Sequence, residues 1–298
     1  MKIAIPALMG HLRDHTAYVR ACERLRERGH TLIEDPHVFE KHGFVSAPAE
    51  KRLAVFHDML RQSPDVVMPV RGGYGITHLL PHFDWTLIRA CGAKFVGFSD
   101  FTGFALAALT HGIITYAGPM VASDFGNEAV DAFADTQCWT TLRSGRCEVA
   151  VENGSNVPTA QFLPAIDGVL WGTNLSLIAH LVGTPYFPRI EGGVLLIEDI
   201  GEEPYACDRA LMQLDHAGVL STQRALLIGA INGYDHEGAS AKSYPFDDWI
   251  TDLRRRYEMP VLTDFPFGHV AKKATLPIGG RARLVMHASG YSMTVATT

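Results

Sequence analysis

The chain has 298 residues, room for two domains at roughly 150 residues each or for one large α/β unit with a sizeable core. Hydrophobic residues make up 47% and charged residues 19%, with no polar or single-residue tract, which excludes disordered, collagen-like and coiled-coil chains. The formal net charge is −6, and the densest basic run, Arg254-Arg255-Arg256, follows Asp247, Asp248 and Asp252, so no face for nucleic acid is expected.

The first half alternates short apolar runs with longer helical patterns. KIAIPAL (2–8) is a predicted strand, followed by a helix through Tyr18 to Arg28 that Gly29 ends, then the strand TLIEDP. A charged helix over Glu50 to Arg61 leads into the strand DVVMPV (65–70), the glycine-rich RGGYG, a helix near Ile76 to Leu80 and the strand AKFVGF (93–98). SDFTGFALAALTHG then reads as a helix with an apolar face. Such alternation indicates a parallel sheet with crossover helices.

Around residues 135–160 the sequence turns polar and is punctuated by Gly, Ser and Pro. A linker is therefore expected over 135–160, between an N-terminal unit (1–134) and a C-terminal unit (161–298). The second half holds the helix NLSLIAHLVG, the strand GGVLLIEDIG (192–201), a helix through Arg209 to His216, the strand ALLIGAING and a strand-rich end, RARLVMHASGYSMTVATT. It reads as mixed α/β with more strand, and no internal repeat is found.

No stretch reaches the ~18 consecutive apolar residues of a membrane helix, and MKIAIPALMGHLRDH turns polar too soon for a signal peptide. A cytoplasmic protein without membrane association is expected. Cys22, Cys91, Cys138, Cys147 and Cys207 are odd in number and contain no C-x-x-C pair, which fits neither a disulfide framework nor a zinc site.

Four local features bear on chemistry. Ser99 follows a strand and precedes a helix, where its hydroxyl either caps the helix or stands exposed at a carboxyl strand end, as in a nucleophile elbow; G-x-S-x-G itself is absent, the sequence being Gly97-Phe98-Ser99-Asp100-Phe101. Arg71-Gly72-Gly73-Tyr74-Gly75 also follows a strand, and its glycines either make a simple turn or let backbone N–H groups approach a ligand or oxyanion. Glu198-Asp199 ends a strong strand, where a carboxylate is either solvated or orients a histidine. His269 is held by Pro266 and Gly268 after the short apolar run Pro260-Val261-Leu262. Together Ser99, a carboxylate near 198 and His269 allow a hydrolase triad in that chain order. A separate spacing, His11-Leu-Arg-Asp-His15, has the look of a zinc motif and needs a helix and a further ligand.

With these residues in view the chain resembles the LD-carboxypeptidases, serine peptidase family S66 of the muramoyltetrapeptide carboxypeptidase type. The resemblance runs through RGGYGITHLLPHFDW (71–85), FVGFSDFTGFALAAL (95–109), YAGPM (116–120), WGTNLSLIAHLVGTPY (171–186), LLIEDIGEEPYACDRAL (195–211) and PFGHVAKKATLPIG (266–279). It implies a flavodoxin-like N-terminal parallel sheet with helices on both faces, bearing Ser99 as nucleophile. A strand-rich mixed α/β C-terminal domain would then bear Glu198 as orienting carboxylate and His269 as general base and acid. It further implies backbone oxyanion donors, assigned to Gly73 and Asp100, a homodimer, and no metal or organic cofactor. The implied reaction releases terminal D-Ala from murein tetrapeptides in cell-wall recycling.

Arg71, beside the glycine loop, is expected to bind the substrate's free carboxylate or to anchor the loop. Asp199 and Glu202 rival Glu198 by chain position. Departures from the family pattern are Lys273, where Asn is frequent four residues after the histidine; Gly172-Thr173 in place of a glycine pair before Asn174; and Pro6-Ala7-Leu8 in place of a Ser/Pro turn. Lys273 either sets a cation near the substrate or points outward. Two other readings stand: a same-family hydrolase of peptidyl or aminoacyl nucleotides of the microcin-immunity type, for which Trp171 is the available stacking residue, and a non-catalytic muropeptide-binding protein.

Overall fold

Apolar runs of alternating facing, each followed by a crossover, wind the first half of the chain into a parallel sheet. The computed structural model describes residues 1–152 and 165–297. In chain order the first half contains β1 (Lys2–Ile5), α1 (His15–Glu27), β2 (Thr31–Glu34), α2 (Ala49–Arg61), β3 (Val66–Val67), α3 (Trp85–Ala90), β4 (Lys94–Gly97), α4 (Thr102–Thr110) and β5 (Thr115–Ala117). The spatial order β5-β4-β3-β1-β2 is parallel throughout, the flavodoxin-like order expected. Strand side chains point alternately to the two faces. Ile3, Ile5 and Val96 pack with Tyr18, Phe125 and Trp139, whereas Ala4, Val67 and Phe95 pack with Phe56, Leu60 and Phe104. Helices therefore cover both faces.

Two expectations are corrected here. The helix near Ile76 to Leu80 does not form; that stretch is turns followed by a short 3₁₀ segment over Leu80–His82. Pro81 supplies no N–H for the Thr77 carbonyl and disfavours the α-helical conformation at Leu80, so a helix over this stretch cannot extend. Residues expected as linker are regular as far as they are described: α5 (Ala132–Ser144) is capped by Asp131 and closed by Gly145 at φ 69°, and β6 (Arg146–Glu152) follows. In β6, Cys147, Val149 and Val151 are buried on alternate positions. Residues 153–164, the rest of the expected linker and the start of the expected C-terminal unit, lie outside the described residues.

The second half continues with β7 (Ile166–Asn174), α6 (Leu175–Leu181), β8 (Val194–Ile200), α7 (Pro204–His216), β9 (Ala225–Asn232), α8 (Ala239–Ser243), α9 (Phe246–Arg256), β10 (Val261–Leu262), β11 (Leu276–Ile278), β12 (Arg281–His287) and β13 (Gly290–Ala296). Its sheet runs β10-β9-β8-β7-β12-β13-β6, parallel from β10 to β7 and antiparallel beyond. The helix expected from Arg209 begins earlier, at Pro204, because proline fits the first helical turn. β11 leaves this half and pairs antiparallel with β5, Leu276 opposite Ala117. The two sheets are thus stitched by a strand that the later sequence lends to the earlier sheet.

Candidate active site

Ser99 lies just past the carboxyl end of β4, the glycine loop follows β3 and Glu198 lies near the carboxyl end of β8, where open α/β sheets place their ligands. Ser99 directly follows β4 at φ 62°, a left-handed conformation that costs a residue bearing a Cβ about 1–2 kcal/mol. Gly97 and Phe101 explain how the turn closes: a Cβ on Gly97 would stand 2.8 Å from the Phe101 ring. The strained turn presents Ser99 to the glycine loop after β3. A Cβ on Gly72 would lie 3.0 Å from Ser99 Cβ and 3.1 Å from its Oγ, so only glycine leaves that approach free.

The loop itself is held from behind. The buried Arg52 side chain donates from Nε to the Ala47 carbonyl at 2.9 Å and from a guanidinium nitrogen to the carbonyls of Gly75, at 3.2 Å, and Leu8. Arg71 donates to the His11 carbonyl at 3.2 Å. Among the described residues the Gly73 and Asp100 N–H groups donate to no backbone carbonyl. The Asp100 side chain is buried, accepts from Ile76 and is pushed above the usual carboxylate range by desolvation.

The second sheet contributes the ionisable groups. Glu198, on β8, is fully buried, and its Oε2 accepts from His269 Nδ1 at 2.8 Å. Burial raises the Glu198 pKa, and the bond to His269 works against that rise. The choice among the three neighbouring acids follows from their partners. Asp199 accepts from Asn174 Nδ2, Ser176 N–H and Oγ, and the Ile200 N–H, at 2.8–2.9 Å; it braces the start of α6, which Asn174 caps. Glu202 lies past the end of β8. Successive strand residues face opposite ways, which is why Glu198 and Asp199 part company.

His269 arrives on the irregular stretch between β10 and β11. Its carbonyl accepts from Asn232 Nδ2 at 3.0 Å, and Gly268, at φ 129°, lies where a Cβ would be 3.2 Å from Glu198 Cβ. The His269 ring packs edge-on against Phe98, the residue preceding Ser99, with centroids 4.9 Å apart. Thr102, at the start of α4, exchanges a hydroxyl hydrogen bond with Thr173 and accepts from the Asn174 N–H at 3.2 Å. Thr173 has φ 133° beside Gly172 at φ 109°, which accounts for a glycine pair as the family pattern there; in this chain the Thr102 bond supports the non-glycine residue.

Three other sequence readings are settled. His15 begins α1 and packs at a tilt against Phe39, while His11 precedes the Asp14 cap and faces the Phe44 carbonyl. The two do not share a helical face, and among the described residues no cluster of three His, Cys, Asp or Glu is placed to hold a metal. Trp171 is fully buried and donates from Nε1 to Gln223 at 2.8 Å, so it presents no ring for stacking. Lys273 neither points outward nor stands free, because its ammonium pairs with Asp124. Arg52, Asp124 and Asn232 were invisible in the sequence, because the bonds by which they reach Gly75, Lys273 and His269 span 23 to 149 residues.

Fold and site together define an α/β protein of two joined sheets whose polar groups converge at the sheets' carboxyl edges. The LD-carboxypeptidase N-terminal domain matches residues 3–118 and the LD-carboxypeptidase C-terminal domain matches residues 167–284. The chain is 30% identical over 250 residues to a probable murein peptide carboxypeptidase of Bacillus subtilis, covering 82% of this chain and 76% of that protein. The structure of muramoyltetrapeptide carboxypeptidase from Oxalobacter formigenes is similar with a TM-score of 0.91 and 35% identity, covering 99% of each chain. The microcin C7 self immunity protein in complex with aspartyl sulfamoyl adenosine shares the fold, with a TM-score of 0.86 and 19% identity over 100% of this chain and 96% of that one. The chain belongs to the LD-carboxypeptidase family and is an LD-carboxypeptidase of family S66.

Proposed function

We propose that the chain hydrolyses the L,D-amide bond that releases terminal D-Ala from murein tetrapeptides, with Ser99 as nucleophile, His269 as general base and acid, and Glu198 as the carboxylate that orients the imidazole. The observation that carries this assignment is the bond from His269 Nδ1 to the buried Glu198, on a ring packed against the residue preceding Ser99. With Nδ1–H held by Glu198, Nε2 is the basic nitrogen. It takes the Ser99 proton as the alkoxide attacks the scissile carbonyl. The Gly73 and Asp100 N–H groups receive the oxyanion. Collapse expels D-Ala, whose amine takes the proton from His269, and water attacks the acyl-enzyme by the reverse sequence. A buried Glu198 favours the transient imidazolium without competing water.

Arg71 anchors the glycine loop through the His11 carbonyl in this reading. The chain works as a cytoplasmic homodimer, with the serine borne by the first sheet and the acid and histidine by the second half of the chain. No helix among the described residues is long and apolar enough to cross a membrane. The names of the relatives and the loss of Trp171 as a stacking residue favour the murein peptide over a peptidyl nucleotide.

The test is D-Ala release from L-Ala-γ-D-Glu-meso-diaminopimelate-D-Ala by the purified protein and by Ser99→Ala. Release by the wild type is expected, with kcat about a million-fold lower in the variant. Equal release by both removes Ser99 from its role. No release by either, with turnover of a peptidyl adenylate, transfers the function to the nucleotide substrate.

A further inference from the structure

The segment carrying His269, residues 263–275, has no regular structure of its own, so bonds to its surroundings must set the imidazole. The Phe265 N–H donates to the Ile228 carbonyl at 3.3 Å, the Ala230 N–H to the Phe267 carbonyl at 2.8 Å, and Asn232 Nδ2 to the His269 carbonyl at 3.0 Å. All three partners lie on β9. The Ala274 N–H closes the segment on itself at the Pro266 carbonyl, 2.8 Å away. These bonds fix His269 to the sheet that holds Glu198. The reaction also needs it fixed to the sheet that holds Ser99.

Lys273 provides that link. Its ammonium pairs with the Asp124 carboxylate, and the two side chains are 3% and 11% exposed. Asp124 lies in the turn Val121–Phe125, whose Val121 and Ala122 N–H groups donate to Pro69 and Val70 carbonyls at 3.1 and 2.8 Å, immediately before the glycine loop. Asp124 also accepts from the Met120 N–H at 2.9 Å, and the Met120 methyl stands 3.5 Å from where a Gly72 Cβ would be. On the other side, Lys273 Nζ sits 3.8 Å from the centroid of the Phe98 ring, the ring against which His269 packs. One residue therefore touches the ring beside the nucleophile and anchors to the turn beneath the glycine loop, four positions after the histidine.

We propose that Lys273 is a positioning residue: its pair with Asp124 clamps the His269 segment to the Ser99 sheet and keeps the Phe98 ring, on which the imidazole packs, against its ammonium. The inference rests on the assignment of Ser99 and His269 made above. A buried ion pair is a poor source of net stability but a strict register device, because neither charge tolerates losing its partner. The cation over the aromatic face adds a directional contact that a neutral side chain lacks.

The experiment compares the wild type with Lys273→Met, with Lys273→Met/Asp124→Asn, which leaves no unpaired buried charge, and with Lys273→Arg. Thermal unfolding, kcat and KM for D-Ala release, and the downfield proton resonance of His269 Nδ1–H are followed. The double variant is expected to fold and to lose about ten- to a hundred-fold in kcat with KM near the wild-type value, the cost of a small misplacement of reacting groups. Its imidazole resonance is expected to shift or broaden, and Lys273→Arg to retain more turnover than Lys273→Met. A folded double variant with wild-type kcat and an unchanged resonance overturns the proposal. Should the wild type release no D-Ala, the proposed function fails, while the resonance in the double variant still decides the role of Lys273: a shift supports it and identity overturns it.

Discussion

The carboxyl edges of the two sheets supply different kinds of group. At the first edge the distinctive features are of the backbone: Ser99 is left-handed, Gly72 permits close approach, and the Gly73 and Asp100 N–H groups have no backbone partner among the described residues. At the second the groups are side chains: buried Glu198 accepts from His269, whose carbonyl accepts from Asn232, and buried Asp199 accepts from Asn174, Ser176 and the Ile200 N–H. The first edge is therefore governed by sterics, where one added carbon matters. The second is governed by charge in a low dielectric, where an isosteric change matters.

After loss of the Ser99 hydroxyl itself, the largest expected effect tests the second edge. Glu198→Gln keeps the shape and removes the charge, and kcat should fall about ten-thousand-fold with little change in KM, as for other orienting carboxylates. Steady-state kinetics on murein tetrapeptide checks this. Stability should move the other way. Because burial raises the Glu198 pKa above the ordinary value of 4.5, the folded state binds more protons than the unfolded state above that pH. Wild-type stability then declines as pH rises from 4.5 through the folded value. Glu198→Gln should remove that decline, so its melting temperature gains on the wild type toward neutral pH, as thermal unfolding across the range would record. A constant difference would mean that the carboxyl titrates alike in both states.

A smaller effect tests the first edge. Gly72→Ala places a methyl against Ser99 Cβ and Oγ, and a displacement of the nucleophile by a fraction of an ångström should lower kcat about ten- to a hundred-fold. Wild-type kinetics for this variant would remove the steric account of the glycine loop. The smallest catalytic effect belongs to Asp199→Asn. It weakens the bonds to Ser176 and Ile200 and should cost about 1–3 kcal/mol of stability while kcat of the folded protein stays near wild type. If denaturant unfolding shows no loss and kcat collapses as in Glu198→Gln, the two carboxylates form one catalytic network, and the division between orienter and brace is wrong.

The two edges also differed in how far they could be read in advance. Ser99 after AKFVGF and the glycines after DVVMPV stood out because a strand, a sharp turn and a following helix are local patterns. Glu198 shared its position with Asp199 and Glu202, and His269 was one of 14 histidines. Only the pairing of strand ends chose between them. The stretch taken as linker shows the same limit: Cys147, Val149 and Val151 alternate in a polar sequence, yet β6 exists because β13, about 140 residues later, pairs with it.

The sequence by itself determined the parallel sheet with crossover helices and the serine at its turn, which rest on local periodicity and turn sterics, and the family with its flavodoxin-like first sheet, which rests on contiguous motifs. Tertiary structure alone decided that Glu198 meets His269 while Asp199 braces α6, that β11 completes the first sheet, that Trp171 is sealed in the core, and that Lys273 finds Asp124. Each of those depends on burial and on partners distant in the chain. A charge's role is set by the group that meets it once water is excluded, and no local pattern carries that information.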